Sequence, residues 1–345
     1  MTERPGELIT WRAIGRVLLT GAAVWVLIES WEFWILLFMA LIVAAAILPA
    51  ARWADRYRIP RLVTVLGVYV AAALVVGVLG RFLFPALVEQ GAQFVSQLPV
   101  LLEKGRTLLA QIIAWGARWD IPLPSLPNEG DSLRRLGEVL LANTLAVTRG
   151  AVGAVVGFFV VLVLAAYVVI DAEHIGRGLQ NMLPAAHRQQ AARAAGAALS
   201  RMGGYVRGQL VVSLSVGTVI AVGLALLGVP YWLLIGGVAA GLNVVPFLGS
   251  PAAAVLGILA ALNISPTLAL WAALVFWGAN LLEAKLLVPQ LVGRATGLHP
   301  LAVLVAILVG AKLAGIIGAL IAVPLLAGAW EILWVLYIEP REQTE

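Results

Sequence analysis

The sequence predicts an all-α, polytopic helical membrane protein. Apolar residues make up 62% of its 345 residues, charged residues only 12%, and the mean hydropathy is +0.99. A soluble protein carries roughly twice that share of charge. No charged residue occurs within 208–282, which is far longer than the ~20 apolar residues that cross the hydrocarbon as one helix. Helix is expected throughout, because lipid cannot hydrogen-bond the backbone.

The N-terminal region, residues 1–83, predicts three spans near 17–28, 33–50 and 62–80. Its start has a basic flank before an apolar stretch, as in a signal peptide, but no small-residue cleavage site follows, so a retained span is expected. The loop at 52–61 carries four arginines against one aspartate. Since basic loops stay in the cytoplasm, this loop and the N-terminus are expected there.

The rest of the chain divides by charge and hydropathy. Scattered charges and helical spacing predict an amphipathic external cap, broken by three prolines within 121–127. A span with no charged residue in its interior follows, and after it an arginine-rich amphipathic helix on the cytoplasmic side. The segments predicted after the first region are the cap at 84–148, the span at 149–170, the cytoplasmic helix at 171–207, the transport core at 208–338 and a tail at 339–345.

Two apolar runs in the core, 233–262 and 301–330, have 30 residues each. Each is too long for one pass and too short for two, and each is interrupted by glycine or proline. Re-entrant hairpins fit this length, and their order (span, hairpin, span, hairpin) forms an inverted repeat typical of secondary transporters. The alternative is two tilted, kinked full spans, which would place Lys285 and Arg294 outside. The total is about six to eight membrane segments.

The same part of the chain carries a set of motifs: YVRGQ, GVPYW, PFLG, then a glutamate before PQLVGRATGLHP, and GIIGALIAVP. These resemble the pattern of the autoinducer-2 exporter (AI-2E) family of bacterial transporters, over roughly residues 10–335. The matching positions are Tyr205, Gly208, Gln209, Gly228, Pro230, Pro246, Gly249, Glu283, Pro289, Gly293, Gly297, His299, Pro300, Gly315, Gly318 and Pro324.

The resemblance implies a transporter in the bacterial inner membrane that exports a small polar solute, such as a furanone-like diol. Other members look like Na⁺ or Li⁺/H⁺ antiporters, so antiport is the second hypothesis. A membrane scaffold without transport activity, with the cap as its partner surface, is the hypothesis from another class. Lys312 stands where the family usually has an uncharged residue, which leaves the substrate and the coupling ion open.

The first interruption, at 243–251, is a candidate part of the solute path. Pro246 removes a backbone donor and disrupts a helix, and Gly249 permits close backbone approach. Freed carbonyls and amides beside Asn243 and Phe247 can contact a polyhydroxylated solute or a cation. A structural kink packed by neighbouring helices is the alternative.

Glu283 ends an apolar helix one turn after Asn280. Carboxylates at membrane depth need a partner or a cavity, so Glu283 is a candidate for binding a proton or Na⁺. Pairing with Lys285 or Arg294 at the interface is the alternative. Lys312 also needs a partner, for which Glu283 is named, unless a hairpin tip lets it reach the interface.

Three family positions, Gln209, Gly315 and Gly318, are placed on the same path. His299 is expected mainly to start a helix, and pH sensing by its imidazole is the second interpretation.

Several function classes lack their signatures. The chain has no cysteine and three histidines, none paired at i, i+4, so neither a metal nor another cofactor is expected. Neither a Walker motif nor a nucleophile elbow is found, and we do not expect an enzyme. The net charge of +5 is attributed to cytoplasmic loops and not to nucleic acid. The partners expected are the bilayer, the solute with H⁺ or Na⁺, and further copies of the chain.

Overall fold

The computed structural model describes most of the chain, and the described part is helical. Among these residues there is no strand. Five of the described helices are long and apolar enough to cross a membrane, or six if a bent pair near residue 171 counts as one span. The all-α polytopic fold is therefore confirmed. The described residues are 29–118, 155–293 and 297–339, with the isolated positions 18, 20, 21, 25, 26 and 153.

The described helices are numbered along the chain. They are α1 Trp31–Asp55, α2 Arg61–Ala117, α3 Val155–Ile170, α4 Ala172–Asn181, α5 Ala185–Leu226, α6 Trp232–Leu242, α7 Gly249–Leu262, α8 Pro266–Leu282 and α9 Pro300–Leu333. Two of them continue as π-helices, α8 through Glu283–Gly293 and α9 through Trp334–Ile338.

Helix α9 is a hairpin of two antiparallel arms. Its helical backbone is interrupted at Ala314 and Gly315, where Gly315 has φ of 59°. A Cβ added to either Gly310 or Gly318 would collide with the carbonyl oxygen of the other. Positions eight residues apart in a continuous helix are separated by about 12 Å. The chain therefore reverses at 314–315, and the small glycines let the two arms touch.

Helices α6 and α7 form the other hairpin, around a tip at 243–248. A Cβ added to Gly249 would lie 2.6 Å from the Ala239 carbonyl oxygen, and one added to Gly257 would lie 3.5 Å from Ile235 Cγ2. These contacts across the tip exclude one kinked helix. Both long apolar runs are thus hairpins, in the predicted order after α5 and after α8. Their insertion from opposite membrane faces stays a prediction.

Helix α2 continues through the boundary expected between the third span and the cap. Its 57 residues make a rod of about 85 Å, longer than the ~40–45 Å of a bilayer with its headgroups. Its second half meets both ends of the first hairpin. Gln90 Oε1 accepts a hydrogen bond from Leu234 N at 3.1 Å, and Lys104 Nζ donates to Asn263 O at 2.9 Å. Residues 119–150, which hold the rest of the predicted cap, lie outside the described residues.

Helix α5 lies at the centre and packs against α1, α6, α8 and α9. Glycine permits the closest approach: a Cβ on Gly217 would lie 2.7 Å from the carbonyl oxygen of Gly236 in α6, as at other small-residue helix contacts. Where α5 packs against α1, Pro49 of α1 cannot donate to the Ala45 carbonyl. Arg207 of α5 compensates, since its Nη1 donates to the Ala46 oxygen at 2.9 Å and lies 3.4 Å from that of Ala45.

The hairpin in α9 predicts a short distance between its two ends. The chain has no cysteine, so in the double variant Leu301→Cys, Trp330→Cys a thiol-reactive spin label attaches only at these two positions. Arms packed 8–10 Å apart place these positions roughly 10–20 Å apart, whereas a continuous helix would separate them by about 44 Å. Pulsed electron spin resonance measures the difference.

The matched control is Arg193→Cys with Val222→Cys, at the same sequence separation within the unbroken α5. This pair is expected at about 44 Å. A distance for the α9 pair equal to that of the control would rule out the hairpin.

Candidate functional site

A cavity of about 420 Å³ lies between the tip of the first hairpin, α5, the π-helix after α8 and the start of α9. Its size is within the ~300–1,000 Å³ of small-ligand sites. Much of its wall is apolar, with polar groups from three different elements. These polar residues are Tyr205 and Gln209 of α5, Asn243 and Ser250 of the hairpin, and Asn280 and Glu283 of α8 and its continuation.

The Glu283 carboxylate joins the two ends of the first helix break. Asn243 Nδ2, at the end of α6, donates to Glu283 Oε1 at 2.9 Å. Ser250 Oγ, at the start of α7, donates to Oε2 at 3.3 Å. Both donors are almost fully buried, with 1% and 4% of their surface exposed. A carboxylate in such surroundings is stable only when hydrogen bonds replace water.

Gln209 satisfies the backbone at the same break. Helix α6 ends at Leu242, and the last carbonyls of a helix have no intrahelical donor. Gln209 Nε2 donates to the Asn243 carbonyl oxygen at 2.6 Å. The neighbouring Gly208 lets α5 approach the π-helix, because a Cβ there would lie 2.5 Å from the Leu291 carbonyl oxygen.

Two features of the hairpin tip stand out. Asn243 Oδ1 is buried and accepts no hydrogen bond from the described residues, so this acceptor is free to bond a molecule in the cavity that Asn243 lines. Phe247 has φ of 69°, in the left-handed region that costs roughly 1–2 kcal/mol for a residue with a Cβ. Such strain is common where a segment binds a ligand or moves.

The structure brings together six of the predicted path residues at this cavity: Gln209, Asn243, Pro246, Phe247, Asn280 and Glu283. Gly249 lies just behind them, where a Cβ would be 2.5 Å from Asn243 N. Gly315 and Gly318 belong to the second hairpin and are not part of this cavity wall. The transport role of all these residues stays a prediction.

Lys312 does not pair with Glu283 as expected. Its side chain is exposed two residues before the reversal in α9, and among the described residues no ion pair joins it to Glu283. The reason is the hairpin itself, which puts Lys312 near a tip. Lys285 is likewise exposed and not paired with Glu283, and Arg294 lies outside the described residues.

His299 starts α9, as its main interpretation predicted. Its Nδ1 accepts a hydrogen bond from Leu301 N at 3.2 Å, which caps one of the free amides of the first turn. The second interpretation, pH sensing by His299, stays a prediction.

Two polar cavity residues, Ser250 and Tyr205, were not placed on the solute path in the sequence analysis. Ser250 follows the predicted Gly249 directly, and buried hydroxyls beside a helix break are natural donors. Tyr205 precedes Gln209 by four residues and so shares its helix face. Both signals were present in the sequence.

The comparisons with known proteins show the family of this chain. The sequence model of the AI-2E family, described as "AI-2E family transporter", matches residues 14–337. The chain belongs to this family. It is 26% identical over 340 residues to "Putative transport protein YrrI" of Bacillus subtilis, covering 94% of this chain and 95% of that one. It is 29% identical over 329 residues to "Putative transport protein MT0215" of Mycobacterium tuberculosis, covering 92% and 86%.

Removing the Gln209 amide from this AI-2E protein should weaken the hairpin tip. In Gln209→Leu the Asn243 carbonyl loses its donor and stays buried, so the free energy of unfolding in mild detergent should fall by about 1–3 kcal/mol. The control is Gln93→Leu, since Gln93 Nε2 donates only to the exposed Glu89. Its expected change is within about 0.5 kcal/mol. Equal losses in the two variants would contradict the assigned role of Gln209.

Proposed function

We propose that this membrane transporter moves a small polar solute through the cavity beside the first hairpin. The observation that carries the proposal is the Glu283 carboxylate, bonded to Asn243 and Ser250 at the two ends of a broken helix. Family membership supports transport, and a furanone-like diol of the autoinducer-2 type is the solute class that the family name suggests. We place the protein in the bacterial inner membrane, with a cytoplasmic N-terminus and a homo-oligomeric assembly.

The chemistry of the cavity suits a neutral or cationic solute rich in hydrogen-bond donors. Glu283 presents two acceptor oxygens, and the amides of Gln209 and Asn280 each offer a donor and an acceptor. A hydroxyl of the solute can replace Ser250 or Asn243 at the carboxylate without leaving it unpaired. Binding of the solute and release of the hairpin tip from Glu283 are then one exchange of hydrogen bonds.

In this proposal, the exchange of hydrogen bonds at Glu283 allows the first hairpin to move. While Glu283 accepts from both Asn243 and Ser250, the tip is held against the π-helix. When the solute takes over one of these bonds, that constraint weakens, and the left-handed backbone of Phe247 favours a rearrangement of the tip. A ligand shifts such an equilibrium only by its difference in affinity for the two states.

Cation/proton antiport is the second candidate, and it rests on the same carboxylate. A protonated Glu283 donates one hydrogen bond and accepts fewer, so it cannot hold Asn243 and Ser250 as the anion does. Na⁺ or Li⁺ would instead bind the anion together with nearby oxygen atoms. In this case Glu283 alternates between a proton and a metal ion.

The test combines transport and metabolites in a deletion strain. If the protein exports a metabolite, the strain should accumulate it inside the cell, and the wild-type gene should restore the lower level. Export by Glu283→Gln should be at least about tenfold slower than export by the wild type, a loss of ~1.4 kcal/mol in transition-state stabilisation. This variant should therefore not restore the lower level of the metabolite. The control Glu89→Gln removes an exposed carboxylate outside the cavity and should restore export fully.

The same variants in everted vesicles separate the two candidates. Proton release driven by Na⁺ or Li⁺, lost in Glu283→Gln and kept in Glu89→Gln, would identify an antiporter. No metabolite difference and no ion-driven proton flux would support the scaffold hypothesis and reject transport.

A further inference from the structure

A second groove, of about 330 Å³, is lined by four segments and shares no lining residue with the first cavity. It is bordered by the end of α1, the start of α2, the short α4 and the first half of α5. Its walls are mostly apolar and include Leu48, Leu179 and Leu199, with a floor of alanines and Gly196. Charged side chains stand only at its rim among the described residues: Arg52, Arg61 and Glu173.

The orientation of α4 indicates that this groove opens at a membrane surface. Helix α4 turns by 71° from the apolar α3, so it does not continue across the bilayer. Ile175, Leu179 and Met182 are exposed at helical spacing, with 44%, 59% and 82% of their surface accessible. A short helix with one such apolar face lies in the plane of the interface.

The charges at the rim leave one cation without a partner. Arg61 Nη2 bonds Asp55 Oδ2 at 3.0 Å and also contacts Glu173 Oε1. Both carboxylates near the groove are therefore engaged by Arg61. Arg52, one residue from the buried Ala51, forms no hydrogen bond or ion pair with any described residue.

We infer that this groove binds an anionic phospholipid. The headgroup phosphate accepts from the Arg52 guanidinium, which matches phosphate geometry with two parallel donors. An acyl chain occupies the apolar wall between Leu48, Leu179 and Leu199. Basic pockets between membrane helices on the arginine-rich side are suited to acidic lipids, and a lipid here joins the N-terminal helices to α5.

The experiment is native mass spectrometry of the full-length protein with equal amounts of phosphatidylglycerol and phosphatidylcholine, which differ in headgroup charge. The wild type should retain phosphatidylglycerol preferentially. Arg52→Ala should lower that retention about fivefold, since one arginine near an anionic surface contributes about 1 kcal/mol. The matched control is Arg118→Ala, which removes the same charge at the far end of α2.

A second variant tests the acyl-chain wall. Outside the adjoining turns of α5, no described atom lies within 4 Å of a Cβ added to Gly196, so Gly196→Leu places a side chain in the groove without a clash at Cβ. It should reduce the retained phosphatidylglycerol while the melting temperature of the lipid-free protein stays unchanged. Arg52→Ala should then have no further effect.

Three results would overturn the inference. Equal retention of the two lipids by the wild type excludes a headgroup site, whatever the variants do. Equal losses in Arg52→Ala and Arg118→Ala mean a general effect of charge. Displacement of phosphatidylglycerol by the same concentration of glycerol phosphate means a site for free anions and not for a lipid.

Discussion

The structure depends on one constraint: a backbone interrupted at membrane depth must have its polar groups satisfied by protein or by water. At the tip of the first hairpin, side chains of other helices supply the hydrogen bonds. Gln209 supplies a donor to the Asn243 carbonyl, and Glu283 holds the side chains at both ends of the break. These few bonds join α5, both ends of the break and the π-helix after α8 around the cavity.

The sequence narrowed the two long apolar runs to hairpins or kinked full spans, but it did not predict which residues would contact each other at the tips. A run of 30 apolar residues interrupted by glycine or proline has few other solutions in a bilayer, and Gly310 with Gly318 mark where the arms of α9 meet. The expected pair of Lys312 and Glu283 was wrong because charge complementarity says nothing about which tip each residue lies near. Asn243 and Glu283, 40 positions apart, meet only through the tertiary fold.

The helix boundaries show a second limit of local signals. Helix α2 runs through the boundary expected between residues 1–83 and the cap at 84–148. Pro85 and Pro99 lie inside it, although an interior proline removes one backbone hydrogen bond and disfavours a helix. Small residues differ in the same way: a Cβ added to Gly236 of α6 would lie 2.8 Å from the Gly217 carbonyl oxygen, whereas one added to Gly241 of the same helix would meet no described atom within 4 Å. Sequence spacing finds candidate faces, and packing decides which face is used.

The central claim is that the first hairpin tip faces a wet cavity and not lipid. Phe247→Cys on the cysteine-free chain tests it, because a membrane-impermeant maleimide reacts only with a thiol that water reaches. The control Leu214→Cys lies on α5 at a similarly exposed position outside the cavity wall. In sealed vesicles of either orientation we predict rapid labelling of Phe247→Cys from at least one side and none of Leu214→Cys. Failure of Phe247→Cys to react from both sides would contradict the account.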